Sequence, residues 1–368
     1  MSVNYNPTDE AITASQRAKS IDPMTANRPE PCFKTRPGIK VKDMISHLVK
    51  GRIFRHWRIQ CLLLFFCFQL FTLAEPVKAN PGVQPYITIH FPSTEVGNYC
   101  LIQPGKHFRE DIRLTDYKPA RGAVNVPANK CLSLKLGYYG RTNRNALKAI
   151  PVPLLRYLIL SKLEVDNGEF QDLLQFKDLV SLDMSGTDID DAGTRGLRNL
   201  TKLRHIDLGF CPIGLSTVEE LSNLKDLERL AFASNTLGDK AGPMLAKLKK
   251  LELLVLSTTV ITDSCIKDIS GLSELTELGL ARNSVTDKGI DSILKLKKLR
   301  RLNLADTKVT FAGLMRLNQL PELDHLLLRK SQLSPEQLKQ LQKRLPKVVL
   351  EEGTKAKDFD PELFKPLH

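Results

Sequence analysis

The chain has 368 residues, of which 42% are hydrophobic and 26% are charged, and its formal net charge is +13. Residues 1–58 and 75–154 each carry 11 Lys/Arg against 5 Asp/Glu, whereas residues 155–368 carry 32 against 31. The length allows two or three domains with a buried core. Because the long C-terminal part is almost neutral, the basic charge does not indicate a nucleic-acid-binding surface, and we expect no nucleic-acid partner.

Residues 1–58 form a basic N-terminal region. Its first 43 residues hold five prolines among Ser, Thr, Asn and charged residues, with little periodic apolar content, so we expect this region to be disordered. Met44 is a second candidate start, because the stretch from Met44 to Arg58 resembles the basic beginning of an export signal. Met1 and Met44 both stay open as the start.

Residues 59–74 are a hydrophobic segment of sixteen residues without a charge, preceded by Arg52, Arg55 and Arg58. A bilayer span needs about 20 apolar residues and the apolar part of a signal peptide about 7 to 15. Val77-Lys78-Ala79 is close to the small-residue form that an export peptidase reads, so cleavage after Ala79 and retention as an uncleaved membrane anchor are both open.

Both outcomes predict the same compartment for the rest of the chain. The basic flank keeps the N-terminus inside, which places the remainder outside the cytoplasm, either secreted or periplasmic or anchored in the membrane through residues 59–74. The alternative, a buried helix of a soluble domain, lacks a neighbouring layer to pack against.

Residues 80–150 have the alternation of β-strands. Three segments alternate apolar and polar residues between Pro and Gly turns: 86–91, 123–126 and 131–136. We expect a small β-rich N-terminal cap, whose last strand is the first rung of a longer sheet. Cys100 and Cys131 fall in this region, where an exported protein can form a disulfide; buried thiols are the alternative.

Eight leucines recur at an unbroken interval of 24 residues, and each opens the pattern L-x-x-[LI]-x-[LMF]. They are Leu155, Leu179, Leu203, Leu227, Leu251, Leu275, Leu299 and Leu323. Alternation at this spacing predicts one short strand in each unit. Thr286 and Asp287 are typical helix-capping residues, and the apolar positions after them recur at helical spacing, so each unit is predicted to return through a helix.

The segments 283–290 and 307–314, with Thr262-Asp263, resemble the T-x-[IV]-T-D-x-G-[LI] units of the bacterial and ribonuclease-inhibitor-like leucine-rich repeat family. The resemblance covers roughly Leu155 to Leu350. It implies an α/β fold, a leucine-rich repeat solenoid or horseshoe over residues 151–350, with a parallel concave sheet and convex helices. Units near Leu163 and Ser334 depart from the pattern and look like end caps, and residues 351–368 are expected to be a tail.

The outward strand positions are the candidate binding surface. The side chains there that suit contact with a protein partner are Asp183, Arg204, His205, Asp207, Phe210, Glu228, Arg229, Arg301 and His325. No nucleophile elbow, phosphate loop or H-E-x-x-H motif is present, and the cysteines lack zinc-ligand spacing, so the sequence predicts neither catalysis, metal nor cofactor. Two carboxylates, at 183 and 207, are too few for calcium.

These observations predict a non-catalytic, monomeric, protein-binding repeat module that is exported or anchored in a membrane. One alternative is an intracellular substrate receptor or regulatory subunit serving an enzyme, although no adaptor-binding motif is recognisable. Another is a structural protein of the cell envelope.

Overall fold

The structure is a computed structural model that describes residues 85–104, 117–138, 140, 144–329 and 333–352. The predicted disordered region 1–58, the hydrophobic segment 59–74 and the cleavage position at Ala79 lie outside the described residues. Within the described part of the chain, no helix is long and apolar enough to cross a membrane.

The strands and helices alternate along most of the described chain. The strands are β1 (Tyr86–His90), β2 (Gly97–Ile102), β3 (Lys118–Pro119), β4 (Ala123–Pro127), β5 (Cys131–Leu136), β6 (Leu155–Ile159), β7 (Ser181–Asp183), β8 (His205–Asp207), β9 (Arg229–Ala231), β10 (Leu253–Val255), β11 (Glu277–Gly279), β12 (Arg301–Asn303), β13 (His325–Leu328) and β14 (Val349–Glu352). The α-helices are α1 (Arg144–Lys148), α2 (Asn167–Leu173), α3 (Leu215–Leu221), α4 (Gly242–Leu245), α5 (Asp263–Ile269), α6 (Asp287–Ile293), α7 (Phe311–Met315) and α8 (Pro335–Arg344). Short 3₁₀ helices span Val152–Leu154, Leu197–Asn199, Asp239–Ala241 and Arg316–Gln319.

Strands β5 to β14 pair side by side in chain order, and every pair among them is parallel. At mid-sheet, Leu254 stands opposite Leu230 on one side and Leu278 on the other. These partners are 24 positions from Leu254 in each direction. The prediction of one continuous parallel sheet is therefore confirmed.

The repeat leucines lie in one hydrophobic core between the sheet and the helices. In one unit, Leu251, Leu254 and Leu256 are fully buried, and Ile266 and Ile269 of α5 belong to the same core cluster. Burying a leucine side chain contributes about 1.5 to 3 kcal/mol. The apolar residues at alternate positions of the strand and those at helical spacing on the return segment therefore both face this core.

Side chains in the turn after each strand satisfy backbone groups inside the stack. The side-chain amide of Asn235 donates to the carbonyls of Leu208 and Phe232, at 2.8 and 2.9 Å, and the hydroxyl of Thr187 donates to Met184 O at 2.8 Å. Such bonds offset the cost of burying turn carbonyls. Small polar residues recur at this turn position because each rung leaves the same backbone groups to satisfy.

The expectation of a return α-helix in every unit is wrong in one place, and in another place the α-helix is only four residues long. Between β7 and β8 the return segment contains only the 3₁₀ helix Leu197–Asn199, and before it Gly196 has φ 95°. Between β9 and β10 a 3₁₀ helix precedes the four-residue helix α4, where Gly238 has φ 65° and Pro243 lies in the first turn. A residue in the left-handed conformation cannot continue an α-helix, so helical structure in these two segments begins only after Gly196 and Gly238.

Residues before β6 extend the sheet. β5 pairs in parallel with β6, β2 pairs antiparallel with β5, and β3 pairs antiparallel with β2, while β1 and β4 form a separate two-stranded sheet. At the other end, β14 continues to Glu352, two residues past the expected boundary at 350.

Candidate functional site on the concave face

The sheet face opposite the helices, termed the concave face, presents two side chains from each short strand. These are the residues on either side of the central core-facing residue. From β7 to β12 they are Ser181 and Asp183, His205 and Asp207, Arg229 and Ala231, Leu253 and Val255, Glu277 and Gly279, and Arg301 and Asn303. The parallel register brings equivalent positions of successive strands together, about 4.8 Å apart.

Asp183 and Asp207 are direct partners in the pairing of β7 with β8. Each accepts bonds from two residues ahead: Asp183 Oδ1 from the N–H and hydroxyl of Ser185 at 3.0 and 2.7 Å, and Asp207 Oδ1 from Gly209 N at 2.8 Å. Burial, followed by the neighbouring charge of Asp183, raises the pKa of Asp207 to about 7. Neither carboxylate forms an ion pair with any described residue, so the two form an electrostatically unfavourable site, termed the acidic pair.

Phe210 follows the acidic pair at the edge of the concave face. Its side chain is 49% exposed, its φ is 59°, and its N–H donates to Ala233 O at 2.7 Å. The same left-handed conformation recurs at equivalent positions of the other units: Lys162, Gly186, Ser234, Thr258, Arg282 and Asp306. The turn requires this backbone whatever the side chain, and an exposed aromatic ring in it is unusual.

Four predicted site residues cluster between β8 and β9. Arg204 lies 3.0 Å from Asp226 Oδ2 and 3.7 Å from Glu228 Oε1, and His205 Nε2 lies 3.6 Å from Glu228 Oε2. His205 and Arg229 are only 7% and 2% exposed, so these two cannot offer a large contact area. Burial lowers the pKa of His205, against the opposing effect of its hydrogen bond to Glu228.

Arg301 and His325 form a separate group on β12 and β13. Arg301 Nε lies 3.9 Å from Glu277 Oε2, and His325 Nδ1 lies 2.6 Å from Glu351 Oε1. Between the two groups lies a small buried cluster that is distinct from the main core: Ala231, Ala233, Leu253 and Val255. The nine predicted residues therefore do not form one site; Asp183, Asp207 and Phe210 lie together at one end.

Ion pairs between successive units are the feature that sequence reasoning missed. The position just before each repeat leucine alternates in charge, with pairs between Asp178 and Lys202, between Asp226 and Lys250 at 2.7 Å, and between Glu274 and Lys298 at 2.7 Å. Reading the 24-residue units in alignment would have found this column. Exposed pairs of this kind contribute little individually, roughly 0 to 1 kcal/mol.

A cavity of about 340 Å³ lies away from the concave face, beside α2. Leu136, Leu160 and Leu173 are among its apolar lining residues, and Lys148 and Glu169 are among its charged ones. No group of three or more His, Cys, Asp or Glu side chains in the described residues could hold a metal ion.

No disulfide joins the four cysteines that the structure describes. Cys100 and Cys131 belong to one small buried cluster with Ile102 and Tyr157, and Cys131 Sγ donates to Ile102 O at 3.3 Å. Burial raises the pKa of the Cys131 thiol. The disulfide stays a prediction. Cys211 and Cys265 are core residues.

Comparison with known proteins gives one family match and several structural likenesses. Residues 177–197 match the family model "Leucine Rich repeat". No curated protein matches the chain. Among solved structures, an internalin of Listeria monocytogenes is 24% identical with a TM-score of 0.36, and the match covers 47% of this chain and 54% of the internalin.

Two further structures have similar scores. Internalin C2 of Listeria monocytogenes is 21% identical with a TM-score of 0.38, covering 50% of this chain and 83% of that protein. A leucine-rich repeat protein of Leptospira interrogans is 21% identical with a TM-score of 0.42, covering 57% and 62%. The chain thus spans about half the length of the first of these relatives.

The fold defines a stack of parallel strands and return helices around one core. Within this stack, residues 177–197 match the model of a leucine-rich repeat.

Proposed function

We propose that this chain is a non-catalytic module that binds a protein partner through the concave face. The observation that carries the proposal is the acidic pair beside exposed Phe210. Asp226 has Lys250 as its cation and Glu277 has Arg301, but the acidic pair has no cation among the described residues. A cation from another molecule would relieve its repulsion, and burying Phe210 would add apolar contact.

The partner of this proposal presents a Lys or Arg side chain next to an apolar one. The repeat family and the bacterial 24-residue subtype are consistent with a binding role, and we propose a monomer.

The test begins by placing a photo-cross-linking residue at position 210 in the full chain and identifying the protein that it captures. The affinity of the purified partner is then measured for Asp183→Asn with Phe210→Ala. We expect a loss of about ten-fold or more, because a charge contact and a buried ring are both removed.

The matched control is Lys249→Ala with Lys297→Ala, two exposed residues of the turns that lead into strands. We expect their affinity to stay within about two-fold of the unaltered chain. A larger loss from the lysine variant than from the concave-face variant would overturn the proposed surface.

We also propose that residues 59–74 direct the chain out of the cytoplasm, as a cleaved signal or as an anchor. The support is the uncharged segment behind three arginines. Leu63→Arg with Phe66→Arg should retain the protein in the cytoplasm, because each arginine raises the insertion cost by about 2.5 to 3.5 kcal/mol. Normal export of this variant would show that residues 59–74 are not the export signal, whereas finding the unaltered chain in the cytoplasm would favour the intracellular receptor alternative. N-terminal sequencing of the exported protein decides whether cleavage follows Ala79.

A further inference from the structure

Carboxylates on the helix side link successive units. Asp263, the first residue of α5, accepts two bonds from Thr286, from its N–H at 2.8 Å and from its hydroxyl at 2.6 Å. Asp287 does the same with the N–H and hydroxyl of Thr310, at 2.8 and 2.6 Å. Because Thr286 and Thr310 are the N-cap residues of α6 and α7, each link ties the start of one helix to the next.

On either side of the junction between α3 and α4, an aspartate of one unit again accepts hydrogen bonds from the next unit. Asp191 accepts from Gly214 N at 2.9 Å and from the Thr217 hydroxyl at 2.6 Å, and Asp239 accepts from Thr262 N at 2.7 Å. A charged acceptor makes these bonds stronger than neutral ones.

The link between α3 and α4 is missing. The equivalent positions are Leu215, which has no acceptor, and Gly238, which has no side chain; the N–H of Gly238 donates to Thr259 O at 3.0 Å, in the following unit. No described hydrogen bond joins Leu215 to Gly238. A similar gap follows Phe311, but there α8 has its own capping box of Ser334 and Gln337.

The sheet side of the same junction is intact. Residues 205–207 pair with residues 229–231 in regular parallel register, and Phe210 N donates to Ala233 O at 2.7 Å. The equivalent bond two units later, from Thr258 N to Ala281 O, is 2.8 Å. The junction is therefore held by backbone bonds on the sheet side, and no hydrogen bond among the described residues links the aspartate-equivalent position 215 to position 238 on the helix side.

We propose that the junction between α3 and α4 is a built-in hinge of the solenoid. The sheet acts as the hinge line, and the helices separate on the opposite side. Opening there changes the curvature of the concave face between Asp207 and Ala231, next to the acidic pair. The hinge lets this surface adapt to a partner without breaking the sheet.

Hydrogen exchange of the full chain tests the hinge. Ala246 N and Leu294 N are equivalent amides at the ends of α4 and α6, and each donates within its own helix at 2.9 Å. After correction for intrinsic rates, we expect Ala246 to exchange about ten-fold faster or more, since the missing link corresponds to one or two hydrogen bonds. The Phe210 amide should exchange as slowly as the Thr258 amide.

Asp263→Ala removes a link and should create a second hinge between α5 and α6. Exchange at Leu294 should then rise about ten-fold while Ala246 is unchanged. The control is Lys288→Ala, an exposed residue of α6, which should alter neither rate. Equal rates at Ala246 and Leu294 in the unaltered chain, an unchanged rate at Leu294 in Asp263→Ala, or fast exchange at Phe210 would each overturn the hinge.

Discussion

Two rows of aspartates run along this molecule, and the same residue type has opposite effects in them. On the helix side, Asp263 and Asp287 each accept two hydrogen bonds from the next unit. On the concave face, Asp183 and Asp207 stand opposite each other and bond only to residues of their own turns. A carboxylate stabilises a repeat stack when the neighbouring unit supplies donors, and destabilises it when the neighbour supplies another carboxylate.

The largest expected change in the free energy of unfolding comes from the core, which lies between the two rows. Leu254→Ala should lower the free energy of unfolding by about 2 to 5 kcal/mol, because a fully buried side chain leaves a cavity. Thr276→Ala, which removes one exposed bond to Glu252 O, should change it by about 0.5 kcal/mol. Denaturant titration measures both; equal effects would show that the assignment of core and surface positions is wrong.

Substitution in the concave row is expected to have the next largest effect, and it should raise the free energy of unfolding rather than lower it. Asp207→Asn should raise the free energy of unfolding at pH 8 by on the order of 1 to 3 kcal/mol, since it removes a charge that burial and then the neighbouring Asp183 disfavour. The amide can keep the local bond, because Asn303 at the equivalent position accepts from Ala305 N at 3.0 Å.

The pH dependence of this effect has a definite sign. The folded pKa of Asp207, about 7, lies above the ordinary value of 3.8, so between these pH values the folded chain holds a proton that the unfolded chain has released. The contribution of Asp207 to stability therefore falls as pH rises through that window. Asp207→Asn should remove this slope; an unchanged slope in urea titrations at pH 5 and pH 8 would contradict the assignment.

Substitution in the helix-side row is expected to have a smaller effect, and it should lower the free energy of unfolding. Asp287→Ala should lower the free energy of unfolding by about 1 to 2 kcal/mol, because two bonds from Thr310 are lost. A stabilising Asp287→Ala would remove the contrast between the two rows.

Exposed ion pairs between units should matter least. Lys250→Ala breaks the pair with Asp226, whose side chains are 62% and 41% exposed, and should change stability by less than about 0.5 kcal/mol. A thermal melt with 0.5 M NaCl as the comparison condition measures the remaining contribution, which salt screens. A loss above about 1 kcal/mol would mean that the alternating charges are a main support of the stack.

The sequence was sufficient for the sheet and for the placement of its side chains. An interval of 24 residues without insertion forces equivalent residues into register, so the meeting of Asp183 with Asp207 followed from numbering alone. The antiparallel pairing of β2 with β5 did not follow, because β2 lies outside the 24-residue repeat. The short helix at Gly242–Leu245 depends on the left-handed Gly238, which periodicity of apolar residues does not reveal.

The site was harder to predict than the fold. His205 and Arg229 occupy outward positions by pattern, yet both are buried, because exposure depends on the side chains that surround a position. Phe210, predicted on the same surface, is 49% exposed, because it lies in the turn after the strand rather than in the strand itself. Hydrogen bonds of the acidic pair to N–H groups two residues ahead depend on turn geometry, which the alternation pattern does not specify.

That Asp183 and Asp207 form an unfavourable carboxylate site, open to a cation from a partner, is tested most directly by titrating their side-chain carboxyl carbons by NMR in the full chain. Asp207 should titrate with a midpoint near 7, and replacing Asp183 by Asn should move that midpoint toward the ordinary range. A midpoint near 4 for Asp207, unmoved by Asp183→Asn, would contradict the account.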